Sequence, residues 1–279
     1  GSQRVKRITV AQCQSIVHKW LNQGFKTYRR FRTYAISVFD FGVRMELTTR
    51  NPMAKTSIPK QKTKPQAPHV DFYEKSELLH FLDCASKHEN PQAFMFFRLL
   101  AFTGLRRGEA LALQWSDINF ETNELTVNKT QAVGKRWRTI IQTPKTNSSY
   151  RTIVLDPDTA QWLHKWKMTQ ARQCFELGFN ANDPSQLVFT NQQNKLMSPS
   201  TVNYFNCSIC KKYGLRHIKI HAFRHTFCTL AFEAHAGINE VSKTLGHADL
   251  KITEQIYLHV TKKQKNETAS KLARYMSEL

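Results

Sequence analysis

The chain has 279 residues, with 41 Lys and Arg against 21 Asp and Glu, and therefore a formal charge of +20. Hydrophobic residues make up 41% of it, which supplies a folded core and argues against global disorder. No run of about 18 apolar residues is present, so the sequence contains no predicted membrane span. Six cysteines in a chain of this length do not make a disulfide framework and indicate reduced thiols of a cytoplasmic protein.

The charge is distributed unevenly along the chain. Residues 1–70 contain 14 Lys and Arg with 2 acidic residues, whereas residues 71–279 contain 27 and 19. An excess of this size indicates a polyanionic partner, and nucleic acid is the polyanion that we expect. We predict that the contacts made by the basic N-terminal segment include Arg29, Arg30, Arg32, Lys60, Lys62 and Lys64.

Hydrophobic periodicity predicts two helices in the N-terminal segment, at 10–22 and 26–42. Thr9 is the expected N-cap of the first helix. The second helix carries an apolar stripe that we expect to be core, formed by Tyr28, Phe31, Tyr34, Ala35, Val38 and Phe39.

A segment at 58–70 follows, with three Pro, three Lys and few apolar residues. This composition predicts an extended linker, because proline favours extended backbone and nothing in the segment could form a core. The linker separates a helical module at 1–57 from a larger domain at 71–279.

The larger domain is predicted to be mostly helical. Helical periodicity marks 73–85, 91–103, 107–113, 157–177, 200–213, 221–236, 238–245, 251–259 and 264–278. Gly104 is the expected C-cap of the helix at 91–103. Period-two alternation marks strands at 124–129, 137–142 and 149–155. The predicted fold class is therefore mainly α with a small three-stranded antiparallel sheet.

Four short motifs in the larger domain carry residue types suited to chemistry on a phosphate. They are TGLRRGE ending at Glu109, PKTNSSYRT around Lys145, HAFRHT from His221, and LGH ending at His247 with Tyr257 ten residues later. In this order they resemble the tyrosine recombinase (phage integrase) family, most closely the integrases of Gram-positive temperate phages and conjugative transposons. Residues 1–57 are more weakly similar to the family's helical core DNA-binding domain.

The resemblance implies six catalytic residues and one supporting carboxylate. They are Arg106, Lys145, His221, Arg224, His247 and Tyr257, with Glu109 in support. A phosphodiester under attack gains negative charge, and guanidinium groups neutralise it because they are planar, always charged and bidentate toward phosphate oxygens. Glu109 lies one helical turn from Arg106 and is expected to hold a guanidinium. Arg107 is interpreted as a surface arginine.

Three histidines lie in these motifs. His221 and Arg224 are three residues apart and so share one helical face, where one orients or deprotonates a group while the other clamps the phosphate. His225 is expected to point elsewhere and to be structural. His247 follows Gly246 and is interpreted as a hydrogen-bond donor to the phosphate.

Tyr257 is the expected nucleophile. A phenol with a pKa of about 10 attacks poorly at neutral pH, so a nearby base or cation must lower its proton affinity. From the residues alone, a tyrosine packed on Ile252 and Val260 in an amphipathic helix is at least as good an interpretation. The family implies that this tyrosine forms a 3′-phosphotyrosyl bond and releases a 5′-hydroxyl.

Lys145 matches the β-hairpin lysine that acts as general acid in the family and protonates the leaving 5′-oxygen. The alternative is a turn lysine that contacts phosphate or solvent, since Lys129 and Lys135 lie in the same region.

No cofactor is expected. The family's reaction needs neither ATP nor a metal, because the covalent intermediate keeps the energy of the phosphodiester bond. Cys207 and Cys210 form a single CxxC pair with no second pair at ligand spacing, so we expect no zinc site.

The sequence therefore predicts a site-specific DNA recombinase that cleaves and rejoins strands while integrating and excising a mobile element. Like its family, it is expected to act as a homotetramer on two double-stranded DNA sites in the bacterial cytoplasm, with residues 264–279 docking on a neighbouring protomer. Two alternatives stay open: a type IB topoisomerase-like strand transferase, and a DNA-binding regulator without catalysis. Gly1 and Ser2 resemble a cloning remnant, and no arm-binding domain precedes them, so we expect a piece of a longer integrase.

Overall fold

The structure is a computed structural model that forms two compact units, Gly1–Pro68 and His69–Leu279. The boundary between the units falls inside the segment 58–70. The structure describes residues 4–25, 27–58, 71–134, 139–144, 149–183, 185–246, 253–254, 256–258, 260 and 276. Across these residues, no helix combines the length and the apolar character needed to cross a membrane.

The N-terminal unit contains both predicted helices, α1 (Val10–Asn22) and α2 (Tyr28–Arg44). Thr9 caps α1 as predicted: its hydroxyl accepts from the amide of Gln12 at 3.3 Å, and the Gln12 side chain accepts from the amide of Thr9 at 3.0 Å. The buried residues of this small core come from both helices and from the segment that follows them: Cys13, Val17, Tyr28, Phe39 and Met53.

The apolar stripe of α2 is only partly core. Tyr28 and Phe39 are buried, but Tyr34 is 60% exposed and Val38 is 70% exposed, so the prediction was wrong for these positions. The reason is that the segment after α2 packs along a different face of the helix. Arg32 donates to the hydroxyl of Thr56 at 2.8 Å and to its carbonyl at 2.7 Å, which fixes that face inward.

The second unit contains the seven helices predicted between residues 73 and 245. They are α3 (Lys75–Ser86), α4 (Pro91–Thr103), α5 (Arg107–Leu111), α6 (Pro157–Glu176), α7 (Pro199–Tyr213), α8 (Ala222–Glu233) and α9 (Ile238–Leu245). Nine of the thirteen residues of α4 are buried, so this helix lies at the centre of the core and packs on α3, α6 and α8. Phe97 of α4 contacts the rings of Phe81 and Phe223 at centroid distances of 5.2 and 5.1 Å.

The described residues between α5 and α6 form five short strands. They are β1 (Ile118–Asn119), β2 (Glu124–Val127), β3 (Thr130–Val133), β4 (Thr139–Gln142) and β5 (Arg151–Val154). A three-stranded antiparallel sheet has the order β1-β2-β5, with Leu125 opposite Ile153, and β3 pairs with β4 in a separate two-stranded sheet. The predicted fold class is confirmed.

The prediction that 137–142 belongs to the three-stranded sheet was wrong. The chain leaves that sheet just after β2, where Lys129 donates to Asp117 at 2.7 Å and Asn128 donates to it at 3.1 Å. These bonds direct the following residues away from β5, so β3 begins there and pairs with β4 instead.

Beyond α9, the predicted helices at 251–259 and 264–278 lie largely outside the described residues. The described residues 253–254, 256–258 and 260 are helical. Ile256 and Val260 are buried in a small cluster with Phe232 of α8 and Leu245 of α9. This end of the chain is therefore attached to the same two helices that carry the motif residues.

Candidate active site

The site is built on the close approach of α4 and α9. Gly104 ends α4 in the left-handed conformation, with φ +62°, as the sequence predicts. A Cβ at this position would lie 2.6 Å from the Leu245 side chain and 2.7 Å from the Phe227 ring, so only glycine suits both the conformation and the contact. The turn places Arg106 at the N-cap of α5, beside the end of α9.

Glu109 holds Arg106 in two places. One carboxylate oxygen accepts from the Arg106 amide at 2.9 Å, and the other accepts from Nη1 of its guanidinium at 2.7 Å. The same carboxylate also accepts from Arg151 of β5, at 2.8 and 3.3 Å. Burial alone would raise the pKa of Glu109, but the hydrogen bonds and charge of Arg151 and the hydrogen bonds of Arg106 outweigh it and lower that pKa below its ordinary value.

Arg224 of α8 is 2% exposed. Its Nη1 donates to the carbonyl of Gly104 at 2.7 Å, and its Nη2 donates to the carbonyl of Leu245 at 2.6 Å. Within the described part of the chain, no carboxylate lies at ion-pair distance from it. Burial and the neighbouring charge of Arg106 lower its pKa to about 9, so it remains a cation at neutral pH. A buried cation without an anionic partner is a site at which an anion binds favourably.

Three arginines converge on the end of α9. Arg151 Nε donates to the carbonyl of Thr244 at 2.6 Å, Arg224 to that of Leu245, and Arg106 Nη2 to that of Gly246 at 3.2 Å. The last carbonyls of a helix have no partners within the helix and carry partial negative charge, so they attract guanidinium groups. The guanidinium groups of α5, α8 and β5 therefore lie close together at the C-terminal end of α9.

His221 is the N-cap residue of α8. Its ring contacts the ring of His225 edge to face, with the centroids 4.9 Å apart, so the prediction that His225 points elsewhere was wrong. Partial burial is the main cause that lowers the pKa of His221, and the nearby charges of His225, Arg224 and two further arginines add to it. Together they bring this pKa to about 4. The imidazole is therefore neutral at physiological pH.

His221 also lines a cleft of about 540 Å³. Arg107 and Lys219 line the same cleft, so its wall carries two positive charges. Arg107, predicted to be a surface arginine, is partly exposed and lines this cleft together with His221.

Tyr257 lies in the described helical residues 256–258 near the C-terminal end and is 36% exposed. Its ring packs edge to face on Phe232 of α8, with the centroids 5.2 Å apart. The tyrosine is thus attached to the helix that carries Arg224. Lys145 and His247 lie outside the described residues.

The predicted DNA-contacting residues of the N-terminal unit differ in accessibility. Arg29 and Arg30 are exposed on α2. Arg32 is partly buried and is engaged by the main chain of Ala54 and by Thr56. Lys60, Lys62 and Lys64 lie outside the described residues.

Arg151 is the residue that the sequence analysis did not single out. It lies in the PKTNSSYRT motif six residues after Lys145, which is the only signal that could have drawn attention to it. Its partner Glu109 is 42 residues away in the chain, so no local pattern links the two.

The described residues show one group of side chains close enough to share a metal ion: His80, Asp83 and Cys84. These lie on one stretch of α3, and Asp83 is paired with Lys87 at 2.7 Å. The pair Cys207 and Cys210 belongs to no such group. All six cysteines of the chain are free thiols.

Comparisons with known proteins place the chain in a family. Residues 70–264 match the model of the phage integrase family. A XerC-like tyrosine recombinase of Caldanaerobacter subterraneus subsp. tengcongensis is 29% identical over 284 residues, covering 96% of this chain and 72% of that protein. The ICEBs1 integrase of Bacillus subtilis is 29% identical over 252 residues, covering 88% of this chain and 65% of that protein. A structure of the Tn1549 transposon integrase with circular intermediate DNA has a TM-score of 0.72 at 18% identity, covering 98% of this chain and 88% of that one.

Proposed function

The chain belongs to the phage integrase family of tyrosine recombinases, enzymes that cleave and rejoin DNA at specific sites, and we propose that Arg106 and Arg224 bind its scissile phosphate. The observation that carries this proposal is the buried Arg224 cation, which has only main-chain carbonyls as described partners. A phosphate oxygen supplies the missing anion. Arg106 is 37% exposed and keeps further N–H groups for the same phosphate.

In the proposed reaction, the phenol oxygen of Tyr257 attacks the phosphorus and forms a 3′-phosphotyrosyl bond, while the bond to the 5′-oxygen breaks. The negative charge that develops on the non-bridging oxygens is stabilised by the two guanidinium groups. Lys145 gives a proton to the departing 5′-oxygen, because an alkoxide is a poor leaving group. Rejoining is the reverse of these steps.

His221 takes the phenol proton in this scheme. A neutral imidazole has a lone pair available, but a pKa of about 4 makes it a weak base. A phosphate anion bound beside the ring favours its protonated form and so raises that pKa. The base thus becomes effective when substrate is bound. His247 donates a hydrogen bond to the phosphate.

Double-stranded DNA is the proposed partner, bound by both units. The exposed Arg29 and Arg30 of the basic N-terminal unit and the linker lysines contact the backbone. The DNA-bound Tn1549 integrase supports this assignment. The relatives are recombinases and integrases, which favours neither a topoisomerase nor a non-catalytic regulator.

We also propose an oligomeric state and a biological role for the chain. We expect a homotetramer on two DNA sites, with residues 264–279 of each protomer docking on a neighbour. The ICEBs1 and Tn1549 integrases support a role in integrating and excising a mobile element within a bacterial cytoplasm.

The test uses a pool of nicked duplexes of randomised sequence, because the nick traps a cleaved strand. DNA that becomes covalently attached is recovered from a denaturing gel and sequenced, which also identifies a selected duplex for later assays. Arg106→Ala and Arg224→Ala should abolish the attachment. Arg216→Ala removes the same charge from a guanidinium held by Asp71 and Glu77, and it should retain attachment. Attachment by the two active-site variants would refute the proposed phosphate pocket.

A further inference from the structure

Arg151 is an internal arginine whose three guanidinium nitrogens are all engaged. Nε donates to the carbonyl of Thr244 at 2.6 Å, Nη1 to the carbonyl of Ser149 at 3.2 Å and to Glu109 at 3.3 Å, and Nη2 to Glu109 at 2.8 Å. Its side chain is 6% exposed. These bonds use four of the five N–H groups of Arg151, whereas the described bonds of Arg224 use two, so Arg151 has little left to offer a DNA phosphate and acts on the reaction through its partners.

Glu109 is the partner through which that effect passes. Its side chain is 4% exposed and lies between two guanidinium groups, the enclosed one of Arg151 and the 37% exposed one of Arg106. One negative charge is shared between two positive ones, so the three side chains together carry a net charge of +1. Arg106 is the exposed member of the three, so a phosphate that approaches Arg106 meets this net positive charge.

We propose that Arg151 is a positioning residue that keeps the Arg106 guanidinium available as a net cation for the scissile phosphate. Without Arg151, the Glu109 carboxylate is left with Arg106 alone and neutralises it. The carbonyl of Thr244 also loses its described partner, so the end of α9 is held by two arginines and no longer by three. This inference rests on the proposed function of Arg106.

A substrate with altered charge separates this role from a general structural one. A methylphosphonate at the scissile position replaces one non-bridging oxygen with a methyl group and removes the negative charge. If Arg151 acts by preserving positive charge for the phosphate, its loss should matter much less on the neutral substrate. A variant that merely folds poorly should lose the same factor on both substrates, because the ratio of the two rates does not depend on the folded fraction.

The experiment measures covalent attachment of the full chain to the selected duplex, with a normal or a methylphosphonate linkage. Arg151→Met should slow attachment about 10–100-fold on the normal linkage, the usual effect of removing a group that orients a ligand. On the methylphosphonate, the loss should shrink to a few-fold. Arg151→Lys keeps the charge and should recover part of the rate on the normal linkage.

Arg98→Met is the matched control. Arg98 is also largely buried, with a side chain 12% exposed, and it pairs with Asp156 at 3.3 Å and donates to Thr159 at 3.2 Å, so its described hydrogen-bond partners do not include Glu109. Arg98→Met should therefore change the attachment rates on the normal and the methylphosphonate linkage by the same factor. An equal loss on both substrates for Arg151→Met, or no recovery with lysine, would overturn this inference. A wild-type chain that attaches to no duplex of the randomised pool would instead overturn the proposed function.

Discussion

Arg224 donates a hydrogen bond of 2.6 Å to the carbonyl of Leu245, the last residue of α9. Because its other terminal nitrogen donates to Gly104, a single guanidinium ties α8 to the ends of α4 and α9. The group proposed to bind the phosphate therefore also holds the framework of the site together. Substitutions at Arg224 should affect both stability and catalysis.

Arg224→Lys tests this double role. A lysine keeps the charge but cannot direct two separate N–H groups at two carbonyls in a fixed fork. We expect a loss of about 1–3 kcal/mol in the free energy of unfolding from the carbonyl left unsatisfied. We also expect attachment to DNA to fall about 100-fold or more, as for loss of a charge-stabilising donor. Urea unfolding and the gel assay measure the two effects. A variant with an unchanged free energy of unfolding would contradict the proposed role of Arg224 in stability.

Tyr257→Phe removes one oxygen and keeps the ring packed on Phe232. DNA binding should survive, while covalent attachment should disappear because no nucleophile remains. A binding assay and a denaturing gel are run in parallel, in a buffer that contains EDTA, since the proposed chemistry uses no metal. If the phenylalanine variant still becomes attached, another residue is the nucleophile. A wild-type reaction that stops in EDTA would contradict the metal-free mechanism.

Lys145→Ala tests the proposed general acid. On an ordinary phosphodiester the variant should be slower by about 10²–10⁴, because the 5′-oxygen leaves without a proton. A bridging 5′-sulfur leaves without protonation, so wild type and variant should cleave that substrate at similar rates. Arg224→Ala should remain slow on both substrates, since it acts on the non-bridging oxygens. Failure of the sulfur substrate to rescue Lys145→Ala would assign the proton to another group.

His221 makes stability depend on pH. Its pKa is about 4 in the folded chain and about 6.5 when unfolded, so between these values the unfolded chain binds a proton that the folded chain does not. Stability should therefore fall as the pH drops from 6.5 to 4. His221→Gln should weaken this dependence, which urea unfolding at pH 7 and pH 5 would reveal. An identical pH dependence in the variant would show that another group is responsible.

Arg30 and Arg32 of α2 provide a test variant and its matched control. Arg30 is exposed and should contact a phosphate, so Arg30→Ala should reduce the slope of log K against log salt by about 0.9. Arg32 is engaged by Thr56, so Arg32→Ala should lower stability and leave the slope nearly unchanged. Salt titrations of DNA binding and thermal unfolding of both variants measure these effects. A lower slope for Arg32→Ala would mean that Arg32 leaves Thr56 to contact DNA.

The sequence alone determined those features that depend on neighbours within a few residues. The bounds of α1, α4 and α9 follow from periodicity and from caps such as Thr9 and Gly104, which act on the adjacent turn. The order and spacing of the motifs were likewise sufficient to identify the family, because each motif is a short local pattern. Glu109 could be expected to hold Arg106 because the two are one turn apart.

The tertiary structure decided what depends on distant partners. The exposed side of α2 was set by the segment around Thr56, and the partner of β4 was set by bonds from Lys129 and Asn128 to Asp117. Arg151 acquired its place through a carboxylate 42 residues away and a carbonyl 93 residues away. A hydrogen bond forms between whichever groups the folded chain brings together, and separation along the sequence leaves no periodic trace of that encounter.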